Sequence, residues 1–501
     1  MNRRSRFPAR SSSLAALLVA AGLAAFGVSS GAQQEETSKD PWPAVFSDRT
    51  EVNIVNVDVV VTDKEGRPVP NLRPEDFILL SEGEPVEISN FFAVQRGEVM
   101  PLEVVAEEPA AGVPAATEEP VPPPAPKRHL NLILFVDDAN ISPANRKRVF
   151  DRLREFLLSD WKDDMRVMVV ANGSGIELVQ PFTEIPHEVF SALERLQKEA
   201  PVGPRFDLDR ARILKALDDV NVEAALPSLG TRGNAELSVE EQMETISQTA
   251  EAVLPQIRTY AQQRFVHVQR TLRILRDFVD TAAGLEGAKS VLYVSEGLPL
   301  RPAEGLYEAY SRRVEALPAA NSLSALTEAS QDDSTNDFLE LVAHANASRV
   351  TFNTLYTAPP ASLSRGSAAT AGSAGGNFGY YRDAVEATEA RNAEEAMVLM
   401  AEGTGGRYGL TAASFSGVLD GVVTDFENHY SLGFEAPRLA SGKLRKVEVK
   451  VRDESLQVRY RSRFREKTPE EEVAARTLSA LLLDTEDNPL GISLKAEKEK
   501  L

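Results

Sequence analysis

The sequence predicts an α/β chain. Its centre is a doubly wound, mostly parallel sheet, inserted into or flanked by a β-sandwich built from N- and C-terminal strands. Three observations predict this. Segments 130–136 (LNLILFV), 166–171 (RVMVVA) and 290–295 (SVLYVS) each carry an unbroken apolar run of four or five residues, as strands buried on both faces should. Helical periodicity separates them, which implies a parallel sheet covered on both sides. The outer segments instead alternate: Val55, Val57, Val59 and Val61 near the start, Val447, Val449 and Val451 near the end. Period-two alternation marks strands with one face in a core.

Residues 1–32 form the charged, apolar and small-residue order of a secretory signal peptide: MNRRSRFPARSSS, then LAALLVAAGLAAF, then SSGA. The apolar stretch is short for a bilayer span. Residues 46–96 read as a small antiparallel β unit with turns at Lys64-Glu65-Gly66 and at Gly83. Residues 97–128, rich in Pro, Ala and Glu, read as a semi-extended linker that cannot build a core.

The α/β domain is expected over 129–429. After the first buried strand, Val149, Leu153, Phe156, Leu157 and Trp161 share one helical face. Segment 176–182 (IELVQPF) reads as a third buried strand, followed by a helix near 186–198. A long helical stretch from 239 to 284 begins at Ser238 and Glu241 with capping-box spacing. Pro255 is expected to kink or divide it. Strand 349–357 is preceded by a helix near 335–347 and followed by one near 393–402, with another near 413–428. Insertions at 199–237 and 358–382 read as surface loops. Residues 430–466 return to strands, expected to join those of 52–96 in one sandwich. In 467–501, Thr468-Pro469 opens a helix carrying Val473, Leu478, Leu481 and Leu482.

Composition narrows the function. A net charge of -20 argues against nucleic acid or anionic lipid as partner, because both need basic surface. The chain has no cysteine, which excludes disulfides, thiolate metal sites and a cysteine nucleophile. No later segment is long and apolar enough to span a membrane, so no span is expected in the mature chain.

The clearest chemical signal is FVDDANIS, where an apolar strand ends in Asp137, Asp138, Asn140 and Ser142. Oxygen-bearing side chains at such a strand end suit a hard divalent cation. The alternative is that Asp137 and Asp138 cap the following helix or meet solvent. The five histidines have no metal-ligand spacing, and neither a nucleophile elbow nor a P-loop occurs. NGSGIE (172–177) lacks the third glycine and the helix of a dinucleotide site. Gly403, Gly405 and Gly406 follow a helix and read as its C-cap and turn.

The succession of β unit, Pro-rich linker, LILFVDDAN, VLYVSEGLP, LMAEGTGGRY and YSLGF resembles the secreted von Willebrand factor A-related proteins of the Acidobacteria type, over roughly residues 46–466. The resemblance implies a cation (Mg²⁺, Mn²⁺ or Ca²⁺) at the top of the sheet that recruits a carboxylate from a protein or peptide partner. The family pattern is Asp-x-Ser-x-Ser, with a Thr and an Asp from two further loops. Here Asp138-Ala-Asn140-Ile-Ser142 supplies oxygens at the spacing, with Asn for the first Ser. Glu296, beside Ser295, stands for the third-loop Asp, and Asp137 is a direct or outer partner. No Thr matches the second loop; Asp207 and Asp209 are substitutes there.

The expectation is an exported, periplasmic or extracellular protein-binding module for adhesion or assembly, not an enzyme. The alternatives are a metal-free architectural component of an envelope complex and a metal-dependent hydrolase using the same acids.

Overall fold

The computed structural model describes residues 54–100, 130–162, 165–200, 203, 206–220, 239–358, 378–410, 415–435 and 444–483, apart from 174, 286, 288, 316, 318–321 and 466–467. The expected signal peptide, most of the linker and most of the 358–382 insertion lie outside these residues.

In chain order the elements begin with β1 (Ile54–Thr62), β2 (Phe77–Ser81), β3 (Glu84–Pro85), β4 (Ile88–Gln95) and β5 (Glu98–Met100). The central part runs β6 (Leu130–Val136), α1 (Pro143–Asp160), β7 (Met165–Asn172), β8 (Ile176–Thr183), α2 (Pro186–Lys198), α3 (Phe206–Asp219), α4 (Val239–Ala282), β9 (Lys289–Ser295), α5 (Glu304–Val314), α6 (Ser322–Ala329), α7 (Thr335–Ala347), β10 (Val350–Tyr356), α8 (Phe378–Gly403), β11 (Tyr408–Leu410) and α9 (Phe415–Glu427). The chain ends with β12 (His429–Glu435), β13 (Arg445–Val451), β14 (Gln457–Tyr460), β15 (Arg463–Phe464) and α10 (Pro469–Leu482).

The central sheet has the order β11-β10-β9-β6-β7-β8. Every pair is parallel except β7 with β8. Successive residues of β6 feed opposite cores. Leu132, Leu134 and Val136 pack with α1, α2 and α9, while Ile133 and Phe135 pack with α4, α7 and α8. That explains the unbroken apolar runs at the centres of these strands. Fully burying a side chain such as Phe135 contributes about 2–3 kcal/mol, and truncating it to Ala would cost about 3–5 kcal/mol.

Two antiparallel sheets are built from chain ends. One has the order β14-β1-β12-β4-β5 and the other β15-β13-β2-β3. Val55, Val57, Val59 and Val61 of β1, Phe77 and Leu79 of β2, Leu432 of β12 and Val447 and Val449 of β13 share one apolar cluster. Among the described strands β1 pairs with the late strands β12 and β14, beside a single bridge from Thr62 to Pro68. The strands of the expected antiparallel unit over 46–96 are divided between the two sheets and pair there with strands from 429–464.

Other expectations are corrected. The β8 strand is a half-exposed antiparallel edge, not a buried strand. Pro181 fits there because it cannot donate to a ladder. The α4 helix runs unbroken through Pro255. The 199–237 insertion contains α3, held by Ile213, Leu214 and Leu217 in a third apolar cluster with the first half of α4, α5, α6 and α8. The α8 helix begins at Phe378, inside the expected loop 358–382.

Candidate functional site

The parallel strands β7, β6 and β9 lie side by side, so their C-terminal residues meet. Asn172 ends β7, Asp137 follows β6, and Ser295 ends β9. Asp137 is fully buried. Its backbone N–H donates to Val294 O at 2.9 Å, which extends the sheet by one bond. Its carboxylate accepts from the Tyr293 hydroxyl, from Ser295 Oγ at 3.0 Å, from Asn172 Nδ2 at 2.7 Å and from Asn140 Nδ2 at 2.9 and 3.0 Å. Burial pushes the Asp137 carboxyl above the usual range, opposed by these four donors, Tyr293 foremost. Burial and the neighbouring Asp137 charge in turn push the Tyr293 hydroxyl well up.

Asn140 is fixed from its other end. His267 of α4 places Nε2 at 2.7 Å from Asn140 Oδ1. Because that oxygen accepts, His267 carries its proton on Nε2. Burial lowers the His267 pKa to about 4, helped by Arg264 and Arg270, so the ring is neutral at pH 7. Thr271 Oγ1 accepts from Asn140 Nδ2 at 3.3 Å.

Glu296 forms a second centre. Its N–H donates to Asn140 O at 3.1 Å. Its Oε1 accepts from Ser142 Oγ at 2.9 Å and Asn145 Nδ2 at 2.8 Å. Burial raises its pKa, Asn145 and Ser142 oppose the rise, and the Asp207 charge adds to it. Gly297 has φ +80°, and a Cβ there would meet Ala393 at 2.9 Å, so the turn that presents Glu296 requires glycine.

Asp138 faces elsewhere. Both of its oxygens are held by Arg146, Nε to Oδ1 at 2.7 Å and Nη2 to Oδ2 at 3.1 Å. The same guanidinium donates to Leu196 O, to Gln197 O at 2.8 Å and to Glu199 O at 3.1 Å. It thus gathers carbonyls at the C-terminal end of α2, where Leu196 O also accepts from Glu199 N–H at 3.2 Å. The reading of Asp138 as first cation ligand is corrected on this ground. Asp207 and Asp209 sit in the first turn of α3 and pair with Arg210 at 2.9 Å and Arg212 at 3.0 Å.

A hard divalent cation needs about six oxygen acceptors turned toward it. Around Asp137 the structure turns hydroxyl and amide donors inward, and a carboxylate offers only about four lone-pair sites. Among the described residues no group of three or more His, Asp or Glu could hold a metal ion. Asp137, Asn140, Ser142 and Glu296 do meet at one edge, but as a hydrogen-bonded network. As arranged, these residues do not fit Mg²⁺, Mn²⁺ or Ca²⁺.

Several members of this network escaped the sequence reading: Tyr293, Asn145, Asn172, Arg146 and His267. Asn172 was legible in principle, since a polar residue ending a buried strand beside β6 must reach the same edge. His267 lies 127 residues from Asn140, and no local spacing signals that meeting.

A scan of family models found no match to the chain, and a search of curated proteins found none. Solved structures give distant likenesses. The conserved hypothetical protein BatB from Bacteroides thetaiotaomicron is 9% identical, with 46% of this chain and 68% of that chain covered and a TM-score of 0.18. The manganese-loaded TRAP protein of Plasmodium vivax is 11% identical, with 68% and 96% covered and a TM-score of 0.23. The PilB minor pilin of Streptococcus sanguinis is 10% identical, with 61% and 64% covered and a TM-score of 0.25. At these TM-scores the likeness carries no argument about ligand or partner.

Proposed function

We propose that the chain is an exported, non-catalytic protein-binding module with a von Willebrand A-like domain, and that it binds without a divalent cation. The observation that carries the cation-free half is the saturated carboxylate of Asp137, together with the commitment of Asp138 to Arg146. The recognition face is the C-terminal edge of the parallel sheet, where crevices form in such folds. Glu296 stands there with the charge of Asp207 close by. Leu208 and Val266 are exposed at 51% and 57% on α3 and α4. A partner suited to this edge brings a basic or donor group and an apolar side chain, not a carboxylate.

The shared apolar cluster of the two antiparallel sheets supports reading them as one sandwich, with the α/β domain over 129–429 as its insertion. Export rests on the pattern of residues 1–32. No helix among the described residues is long and apolar enough to cross a membrane.

The test uses the chain from Gln33, stripped with chelator. Calorimetric titration with Mg²⁺, Mn²⁺ and Ca²⁺ is expected to give no saturable heat. Saturable binding that Asp137→Asn abolishes would overturn the cation-free reading. A crosslinked partner should be retained equally in chelator and in Mg²⁺, and lost with Glu296→Lys plus Asp207→Lys. A partner indifferent to both charge reversals would remove this face from consideration.

A further inference from the structure

We propose that a cavity at the opposite, N-terminal edge of the parallel sheet binds a small polyanion that also carries hydroxyl groups, such as a sugar phosphate or a hydroxy-polycarboxylate. This site is independent of the strand-end face. The cavity has a volume of about 540 Å³ and lies between β1, the start of β9, the end of α7, the β14–β15 segment and α10.

Its charge is the first argument. Lys289, Arg349, Arg461, Arg463, Arg465 and Arg476 line it, against Glu472 as the one carboxylate among the described lining residues. This occurs in a chain of net charge -20, which would otherwise repel anions. Part of the positive charge is neutralised. Arg465 pairs with Glu471 at 3.1 Å and Arg476 with Glu472 at 3.0 Å. Lys289 Nζ donates to Ala283 O and Ser348 O, each at 3.2 Å. Arg461 has Asp58 only at 3.5 Å, and burial together with Arg349 pulls its pKa down. The side chains of Arg349 and Arg463 form no ion pair with any described residue. Guanidinium forks suit phosphate and carboxylate oxygens in bidentate geometry.

The backbone supplies a second argument. Arg349 follows the cap of α7 with φ +56°. That is the helix-terminal position where glycine or asparagine is favoured, since a Cβ is strained there. A strained arginine on the wall of a cationic cavity points to a retained role for its charge. Thirdly, Asn346 on the same wall donates Nδ2 to Gly403 O at 2.9 Å, which fixes its amide, while its buried Oδ1 has no donor. A hydroxyl on the ligand would supply one.

The test is calorimetric titration of the chain from Gln33 with fructose 1,6-bisphosphate, citrate and inorganic pyrophosphate at constant ionic strength. At least one of the hydroxyl-bearing anions should bind saturably, and the stronger of the two assigns phosphate or carboxylate as the anionic group. Arg349→Gly removes the charge while relieving the positive φ. It should lower affinity at least tenfold with Tm unchanged or raised, so the loss cannot be ascribed to unfolding. Arg463→Ser should weaken binding likewise. No saturable heat for any probe into the millimolar range, or unchanged affinity in Arg349→Gly, would overturn the proposal. Pyrophosphate binding as tightly as the other two would overturn the hydroxyl requirement.

Discussion

The Asp138–Arg146 pair offers the most direct trial of how the strand end works. Both side chains are nearly inaccessible, 7% and 5% exposed, and joined by two bonds at 2.7 and 3.1 Å. Removing one partner of a buried pair costs about 3–5 kcal/mol, because the other charge is left uncompensated. Asp138→Ala leaves the guanidinium three carbonyl acceptors on α2, so its cost should fall at the lower end, about 3 kcal/mol. Arg146→Met keeps apolar packing on Phe150, 5.0 Å from the guanidinium, but takes the donor from the Asp138 carboxylate and from the Gln197 and Glu199 carbonyls, while Leu196 O keeps the Glu199 N–H. About 4–5 kcal/mol is expected there. The double variant should cost about the same as Arg146→Met alone, a coupling of roughly 3 kcal/mol where independent sites would add. Urea unfolding of the four proteins at constant m value measures this. Additive losses would refute the argument. So would a stable Asp138→Ala protein that has lost binding of Mg²⁺, the signature of a ligand and not of an ion pair.

Three further outcomes follow from the same geometry. The His267 pKa falls to about 4 in the fold from an unfolded value of 6.5, so its stabilisation is complete above pH 6.5 and is lost as pH drops toward 4. At most about 3 kcal/mol is at stake; His267→Gln, which keeps a donor for Asn140, should flatten the pH–stability curve in that window, and an unchanged slope would contradict it. Glu389 is buried, neither oxygen has a hydrogen-bond partner, and burial raises its pKa despite Arg264. A raised carboxyl favours the fold below its unfolded pKa and loses that contribution as pH rises, so Glu389→Gln should be more stable than the parent at pH 7, by about 1 kcal/mol, with the gain gone below pH 4.5; a less stable variant at pH 7 would argue for a charge-dependent role. A Cβ at Gly406 would stand 2.1 Å from Phe352 O, so Gly406→Ala should cost at least about 3 kcal/mol and be visible in the thermal midpoint.

Much of this fold was legible because burial on two faces leaves a plain mark. The β6, β7 and β9 strands are buried at nearly every position, and the unbroken apolar runs at their centres mark that in the sequence. The α10 start was also readable, since Thr468 and Glu471 form the reciprocal cap their spacing implies. Pro255 does not divide α4, because a missing N–H costs one bond in a helix that packing holds along both halves. The α3 helix was hidden for the opposite reason: its apolar residues are few, and they matter only against α4 and α5. At the strand end the sequence marked the place where these side chains meet but not their partners. Two adjacent aspartates look alike in one dimension, yet Asp137 turns toward amide and hydroxyl donors and Asp138 toward an arginine eight positions on. Which carboxylate faces which neighbour is fixed by the pleat and by residues on β7, β9 and α4.

The pairing of the first strand with late ones sets a timetable for synthesis. Asp58 receives a hydrogen bond from Ser431, 373 residues further along the chain. At about 5–20 residues per second, the β1 strand waits roughly 20–75 s on the ribosome before that partner exists. During that interval Val55, Val57, Val59 and Val61 have Phe77, Leu79 and Phe91 of their apolar cluster but lack Leu432, Phe434, Val447 and Val449, so the stripe is only partly covered. The central sheet, whose strands all lie between the two halves of this clasp, can fold meanwhile. A chain stopped short of residue 429 would lack β12 to β15 and α10, and with them Leu483 of the apolar cluster under the parallel sheet, so its first strand would stay open and adhesive.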